Sequence, residues 1–146
     1  MTGGYDPVAF PHRDLTEKII GAFFDVYREL GFGFQENVYH NVMMFALSDL
    51  GLAAEKEIKL RVHFRGRLVG EFDADIFVER KVIVELKAVD DLCAAHEAQL
   101  LNYLRASELE VGLLLNFGPK PRIKRLAYSN ERKRSRPPVE LDSPPF

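Results

Sequence analysis

Asp75, Glu85 and Lys87 are the residues whose types and spacing fit one chemistry together. In an extended segment alternate side chains share a face, so Glu85 and Lys87 project together from the run 81–88 while Leu86 faces the other way. Asp75 stands on the preceding extended segment, across a turn at Glu79 and Arg80. Such a hairpin brings two carboxylates and one ammonium to one spot. That set suits metal-assisted phosphodiester hydrolysis. Carboxylate oxygens hold Mg2+, or Mn2+ in its place, while leaving the ion several of its waters. The ion stabilises charge on the phosphate and lowers the pKa of an attacking water. A neighbouring lysine orients that water or neutralises the transition state. A solvated ion pair on a strand would use the same residue types. Against that, the stretch Val82 to Val89 is apolar enough to be a central strand, where charges are seldom buried without a partner or a metal.

A second group falls on a helical stretch. His96, Gln99 and Tyr103 are spaced to share one face, with Ala94, Ala98, Leu100, Leu101 and Leu104 forming the apolar side. A polar face of His, Gln and Tyr can meet a metal-bound water or a phosphate; an ordinary solvated helix face is the plainer alternative. Glu36 opens an earlier helix, where an acid is favoured by the helix dipole.

These residues need a scaffold, and periodicity supplies one. Residues 1–13 carry Gly3, Gly4, Pro7 and Pro11 and read as an arm. Asp14 with Glu17 forms a capping-box pattern, Leu15, Ile19, Phe23, Val26 and Leu30 recur at helical spacing, and Gly31 supplies the stop. A second helix is expected from Gln35 to Leu50, with Val38, Val42, Phe45 and Ala46 as its apolar stripe, widened by Tyr39, Met43 and Leu50. The period then changes to two. Strands are expected at 58–64, 68–78 and 81–88, the first two joined by a tight turn at Arg65-Gly66-Arg67. A helix over 94–106, a buried strand over 111–117 and an edge strand over 122–128 follow. The 111–117 strand should lie parallel to the 81–88 strand by the crossover rule. The expectation is a single α/β domain over 14–128, a mixed sheet flanked by helices on both faces, and a Pro-rich tail over 129–146 without structure.

Composition sets outer bounds. The chain has 146 residues, 47% of them hydrophobic, which supports a proper core and excludes a wholly disordered chain. Twenty Lys and Arg against 22 Asp and Glu give a net charge of −2, so contact with nucleic acid must use a local patch. Cys93 is the only cysteine, which rules out an intramolecular disulfide and a cysteine-only zinc site and fits a reducing, cytoplasmic setting. No secretory signal and no run of membrane-helix length is seen.

The segment Gly33-Phe34-Gln35-Glu36-Asn37-Val38-Tyr39 matches a GxxExxY signature, and DADIFVERKVIVELKAV and HEAQLLNYLR resemble the other two blocks of the protein family named after it. That family belongs to the PD-(D/E)XK nuclease superfamily, and the resemblance runs from about Asp14 to Tyr128. It implies a restriction-endonuclease-like αβββαβ core. It also implies that Asp75 and Glu85 are metal ligands with the Leu86 carbonyl as a third, that Lys87 is the catalytic lysine, and that Glu36 completes the metal site. Gln99 and Tyr103 resemble the QxxxY element that supports the site and the DNA end; His96 stands in the same block. Ala74 occupies the position of the eponymous proline, and Asp73 competes with Asp75 as ligand.

The reading that follows is a Mg2+-dependent nuclease acting on DNA. The alternative is a non-catalytic nuclease-fold accessory protein in a repair or defence complex. Candidate phosphate contacts are Lys59, Arg61, Arg65 and Arg67, then Lys120, Arg122, Lys124 and Arg125, and an arm of Arg132, Lys133, Arg134 and Arg136. Phe32, Phe34, Met43 and Met44 are candidates either for a homodimer interface or for the core.

Overall fold

The computed structural model describes residues 11–134 and 140–142. Helix α1 (Arg13–Leu30) buries Ile19, Ala22, Phe23 and Val26 along one stripe. It begins one residue before the expected cap. His12, at φ 60°, is the N-cap and gives no side-chain hydrogen bond, so Asp14 lies inside the first turn. Glu17 instead accepts from Arg13 at 2.9 Å. Gly31 ends the helix at φ 65°, a conformation that glycine adopts without a Cβ penalty, and its N–H donates to the Tyr27 carbonyl.

Helix α2 (Glu36–Asp49) corrects the expected stripe. Its buried residues are Tyr39, Met43 and Leu47, whereas Phe45 is 73% exposed. Apolar residues lie nearly all round this helix, so periodicity alone leaves its inner face open. Tyr39 decides the matter: its ring stacks on Phe117 at 4.1 Å and its hydroxyl donates to the Gly31 carbonyl at 2.7 Å. Met43 is therefore core, while Phe32 and Phe34 are exposed.

The strands are β1 (Ala54–Phe64), β2 (Arg67–Val78), β3 (Val82–Lys87), β4 (Val111–Phe117) and β5 (Pro121–Ala127), with helix α3 (Ala94–Arg105) between β3 and β4. β1, β2 and β3 form an antiparallel meander, β4 runs parallel to β3, and β5 closes the edge antiparallel to β4. Helices α1 and α2 cover one face through Phe23, Tyr39, Met43, Val84, Leu86, Leu113 and Phe117. Helix α3 covers the other through Leu100 and Leu104 against Ile83 and Leu114. Every residue of β4 is buried, as its unbroken apolar run requires.

The stretch 129–146, expected to lack structure, contains helix α4 (Asn130–Arg134) and strand β6 (Glu140–Asp142). β6 pairs with Arg61–His63 on the outer edge of β1, giving the sheet order β5-β4-β3-β2-β1-β6. Lys133 ties α4 down by donating to the Ser107 and Leu109 carbonyls and to Asn130. Residues 1–10 of the expected arm, with 135–139 and 143–146, lie outside the described residues.

One irregularity positions the site. The β2–β3 ladder ends at Ile76↔Val84. Alternate residues of a regular strand share a face, yet Ala74 packs under α3 while Ile76 packs under α1 and α2. The strand turns over at Asp75. Glu57 lies between the β1 residues that pair with Ile76 and Ala74, and it takes φ 56°. β1 and β2 leave the sheet together at this point.

Candidate active site

Where β2 parts from β3, side chains take over from the ladder. The Leu86 N–H donates to Asp75 Oδ2 at 2.8 Å, and the Asp75 N–H donates to Glu85 Oε1 at 3.3 Å. The two carboxylates are thus held against each other's strands. Glu85 is only 9% exposed. Burial, and then the charge on Asp75, push its carboxyl up to about 8, against the opposing pull of Lys87. Burial works in the same upward direction on Asp75, but hydrogen bonds from His40 and from the Leu86 N–H outweigh it and hold that carboxyl below its usual range. At neutral pH Asp75 is ionised and Glu85 keeps a proton.

His40 is the side-chain partner of Asp75. Its Nε2 lies 3.3 Å from Asp75 Oδ1. The hydrogen bond to Asp75 raises the imidazole pKa despite partial burial, with help from the charges of Glu36 and Glu57. Glu36 stands one helical turn before His40 on α2. Both line an open hollow of about 460 Å³ with Asn37, Asn41, Lys56 and Glu57. Glu36 lies near enough to His40 for its charge to act on the imidazole. Among the described residues no group of three or more His, Cys, Asp and Glu side chains is arranged to hold a metal.

Lys87 follows Glu85 on the face turned toward α3. Tyr103 reaches the site from α3, its ring stacked on Phe72 of β2 at 3.4 Å. Burial, and then the charge on Glu85, push its hydroxyl up to about 12, while a hydrogen bond with Gln99 opposes that shift. Gln99 and Tyr103 are thus linked to each other, with Tyr103 near enough to Glu85 and Asp75 to feel their charge. His96 does not. Its Nδ1 accepts the Cys93 N–H at 3.2 Å and closes the N-terminus of α3. Asp73, the competing ligand, pairs with Lys59 at 3.2 Å on the departing strands.

Two residues that matter escaped the sequence reading. His40 lies four residues after Glu36, a helical spacing that could have flagged it. Asn116 is the polar residue in the apolar run of β4 and is fully buried. It pairs in register with Lys87. Its Oδ1 accepts the Val89 N–H at 3.0 Å and its Nδ2 donates to the Val89 carbonyl at 2.9 Å. The chain leaving Lys87 is gripped at both polar groups of one residue. Gly118 completes the grip, since a Cβ there would sit 2.3 Å from the Val89 oxygen.

Two adjacent carboxylates, Asp75 partly buried and Glu85 buried and holding its proton through that burial and the charge on Asp75, make a donor set that a divalent cation fits by displacing the proton. A family model of the PD-(D/E)XK nuclease superfamily matches residues 13–126. The chain belongs to the PD-(D/E)XK nuclease superfamily. Members of this superfamily generally use divalent metals, and membership implies a nuclease-like function and contact with nucleic acid. No curated protein and no solved structure gives a significant match. No helix among the described residues is long and apolar enough to cross a membrane.

Proposed function

We propose that this chain is a Mg2+-dependent nuclease of the GxxExxY type that hydrolyses phosphodiester bonds in DNA in the cytoplasm, with Mn2+ able to replace Mg2+. The observation that carries the reading is the junction of Asp75 and Glu85 where β2 leaves β3, with Lys87 next on the same face. Asp75, Glu85 and the Leu86 carbonyl would hold the cation, whose bound form supplies charge for the phosphate and an acidified water. The N–H and C=O of a strand residue point to the same edge, which supports the Leu86 carbonyl, since its N–H already donates to Asp75. His40 fixes the orientation of Asp75, and Glu36 adds negative charge behind it. Lys87 places a cation beside the attacked phosphate. Gln99 and Tyr103 border the same floor and offer donors to the substrate. The catalytic unit is the 14–128 stretch, in line with the extent of the superfamily match.

Labelled linear, nicked, flapped and single-stranded DNA, with RNA alongside, tests this in Mg2+, Mn2+ or EDTA. Cleavage should need the metal and fall by at least about a hundredfold in Lys87→Ala, the scale of losing one transition-state contact. Metal-independent cleavage, or full activity in Lys87→Ala, would refute it. No cleavage together with no metal-induced rise in melting temperature would favour the accessory-protein reading.

A further inference from the structure

β1 and β2 outrun the sheet. Beyond Asp75 the pairs from Ile58↔Ala74 to Phe64↔Arg67 continue as a two-stranded arm, flanked on its outer edge by β6. At the rise of a strand the tip stands about 25 Å past the carboxylates. The cations along the arm are of two kinds. Lys59 and Arg61 are neutralised across the strands by Glu71 and Asp73. Arg65 and Arg67, at the tip, have no carboxylate partner among the described residues. Beside them Phe64, Leu68 and Val69 are 42%, 52% and 61% exposed. The Arg65 guanidinium lies 4.8 Å from the centre of the Phe64 ring.

The turn sharpens the point. Arg65 and Gly66 both take positive φ, 51° and 77°. A turn of this kind favours Asn, Asp or Gly at its first position, so an arginine there adds backbone strain. Among the described residues it gains no ion pair in return.

We propose that the tip of the β1–β2 arm is a nucleic-acid contact for strands with unpaired bases. Arg65 and Arg67 take backbone phosphates, and Phe64, on the face it shares with Arg67, covers a base that duplex stacking would hide. The proposal rests on the nuclease reading for its placement, because the arm rises beside the floor formed by Asp75, Glu85 and Lys87. An anionic lipid surface would also attract arginines beside apolar groups. A nucleic acid is favoured because the tip rises from the phosphodiester site itself.

Binding of the full chain to labelled single-stranded and blunt duplex DNA, followed by anisotropy in EDTA so that nothing is cut, tests it. The Arg65→Ala/Arg67→Ala variant should bind single strands at least about tenfold more weakly, and its salt slope should shrink by about 1.4, two single-strand phosphate contacts. Phe64→Ala should lose about tenfold on single strands, the scale of one base stack, and less than about twofold on duplex. Lys59→Ala should leave the slope unchanged. Arg65→Lys/Arg67→Lys should keep it, which separates charge from damage to the turn. Wild-type binding by the Arg65→Ala/Arg67→Ala variant, absence of DNA binding by the wild type, or a loss confined to phosphatidylserine vesicles would each overturn the proposal. Metal-dependent cleavage with arm-independent binding would sink only the arm. Arm-dependent binding without cleavage would sink only the nuclease reading.

Discussion

At the residue scale the carboxylates do not act alike. Asp75 gains hydrogen bonds on both oxygens and stays ionised, whereas Glu85 is buried against that charge and holds its proton to about 8. A carboxyl raised by folding contributes stability that is present below its unfolded pKa and is lost as pH rises through the folded value. The raised pKa of His40 acts in the same direction. The metal-free protein should therefore melt at progressively lower temperature between about pH 5 and about pH 9. A cation at this site must displace the Glu85 proton, so the rise in melting temperature with Mg2+ should be larger near pH 9 than near pH 6. Glu85→Gln should flatten the metal-free profile and abolish the Mg2+ effect; calorimetry across pH reads both. A Mg2+ effect that is equal at both pH values would place the ion elsewhere. The sequence placed Asp75, Glu85 and Lys87 together because the strand period is two. It gave no warning that one carboxyl would be neutral, since that depends on burial.

At the element scale the site depends on where strands stop pairing. β3 keeps its register with β4 as far as Lys87↔Asn116 but loses β2 after Val84. The Asn116 side chain then holds Val89 at both backbone groups. Asn116→Ala removes both hydrogen bonds to this partly buried residue, at about 1–3 kcal/mol for the two. Its melting temperature should fall, and cleavage should fall further than the loss of folded protein explains, because Lys87 loses its support. Gly118→Ala should act in the same direction by pushing on the Val89 carbonyl. Activity per folded molecule equal to wild type in both variants would show that the clamp serves stability alone. The element order was legible from the changes of period, and the parallel β4 from its crossover helix. The inner face of α2 was not, because Phe45 and Met43 are alike to a hydrophobicity pattern and only Phe117 across the core tells them apart.

At the scale of the whole molecule the surface charge is divided by context. The net charge of −2 conceals arginines at the arm tip with no carboxylate partner among the described residues, the neutralised Lys59 and Arg61 along the arm, and basic residues put to structural use near the C-terminus. Lys133 belongs to the last kind, holding α4 against the loop before β4, and Arg132 lies over the Tyr128 ring at 4.5 Å. Lys133→Ala should raise the hydrogen exchange of α4 by at least about tenfold while leaving the β3 and β4 amides protected, since local opening costs only local contacts. Unchanged exchange in α4 would show that other contacts hold it. The sequence by itself determined the α/β order, the hairpin that joins Asp75 to Glu85, and the three motif blocks, because each is written in local spacing. Only the tertiary structure decided which charges are spent on one another, that His40 reaches Asp75 while His96 caps a helix, and that β2 turns over at Asp75. Those outcomes depend on neighbours far away along the chain, and no local period encodes them.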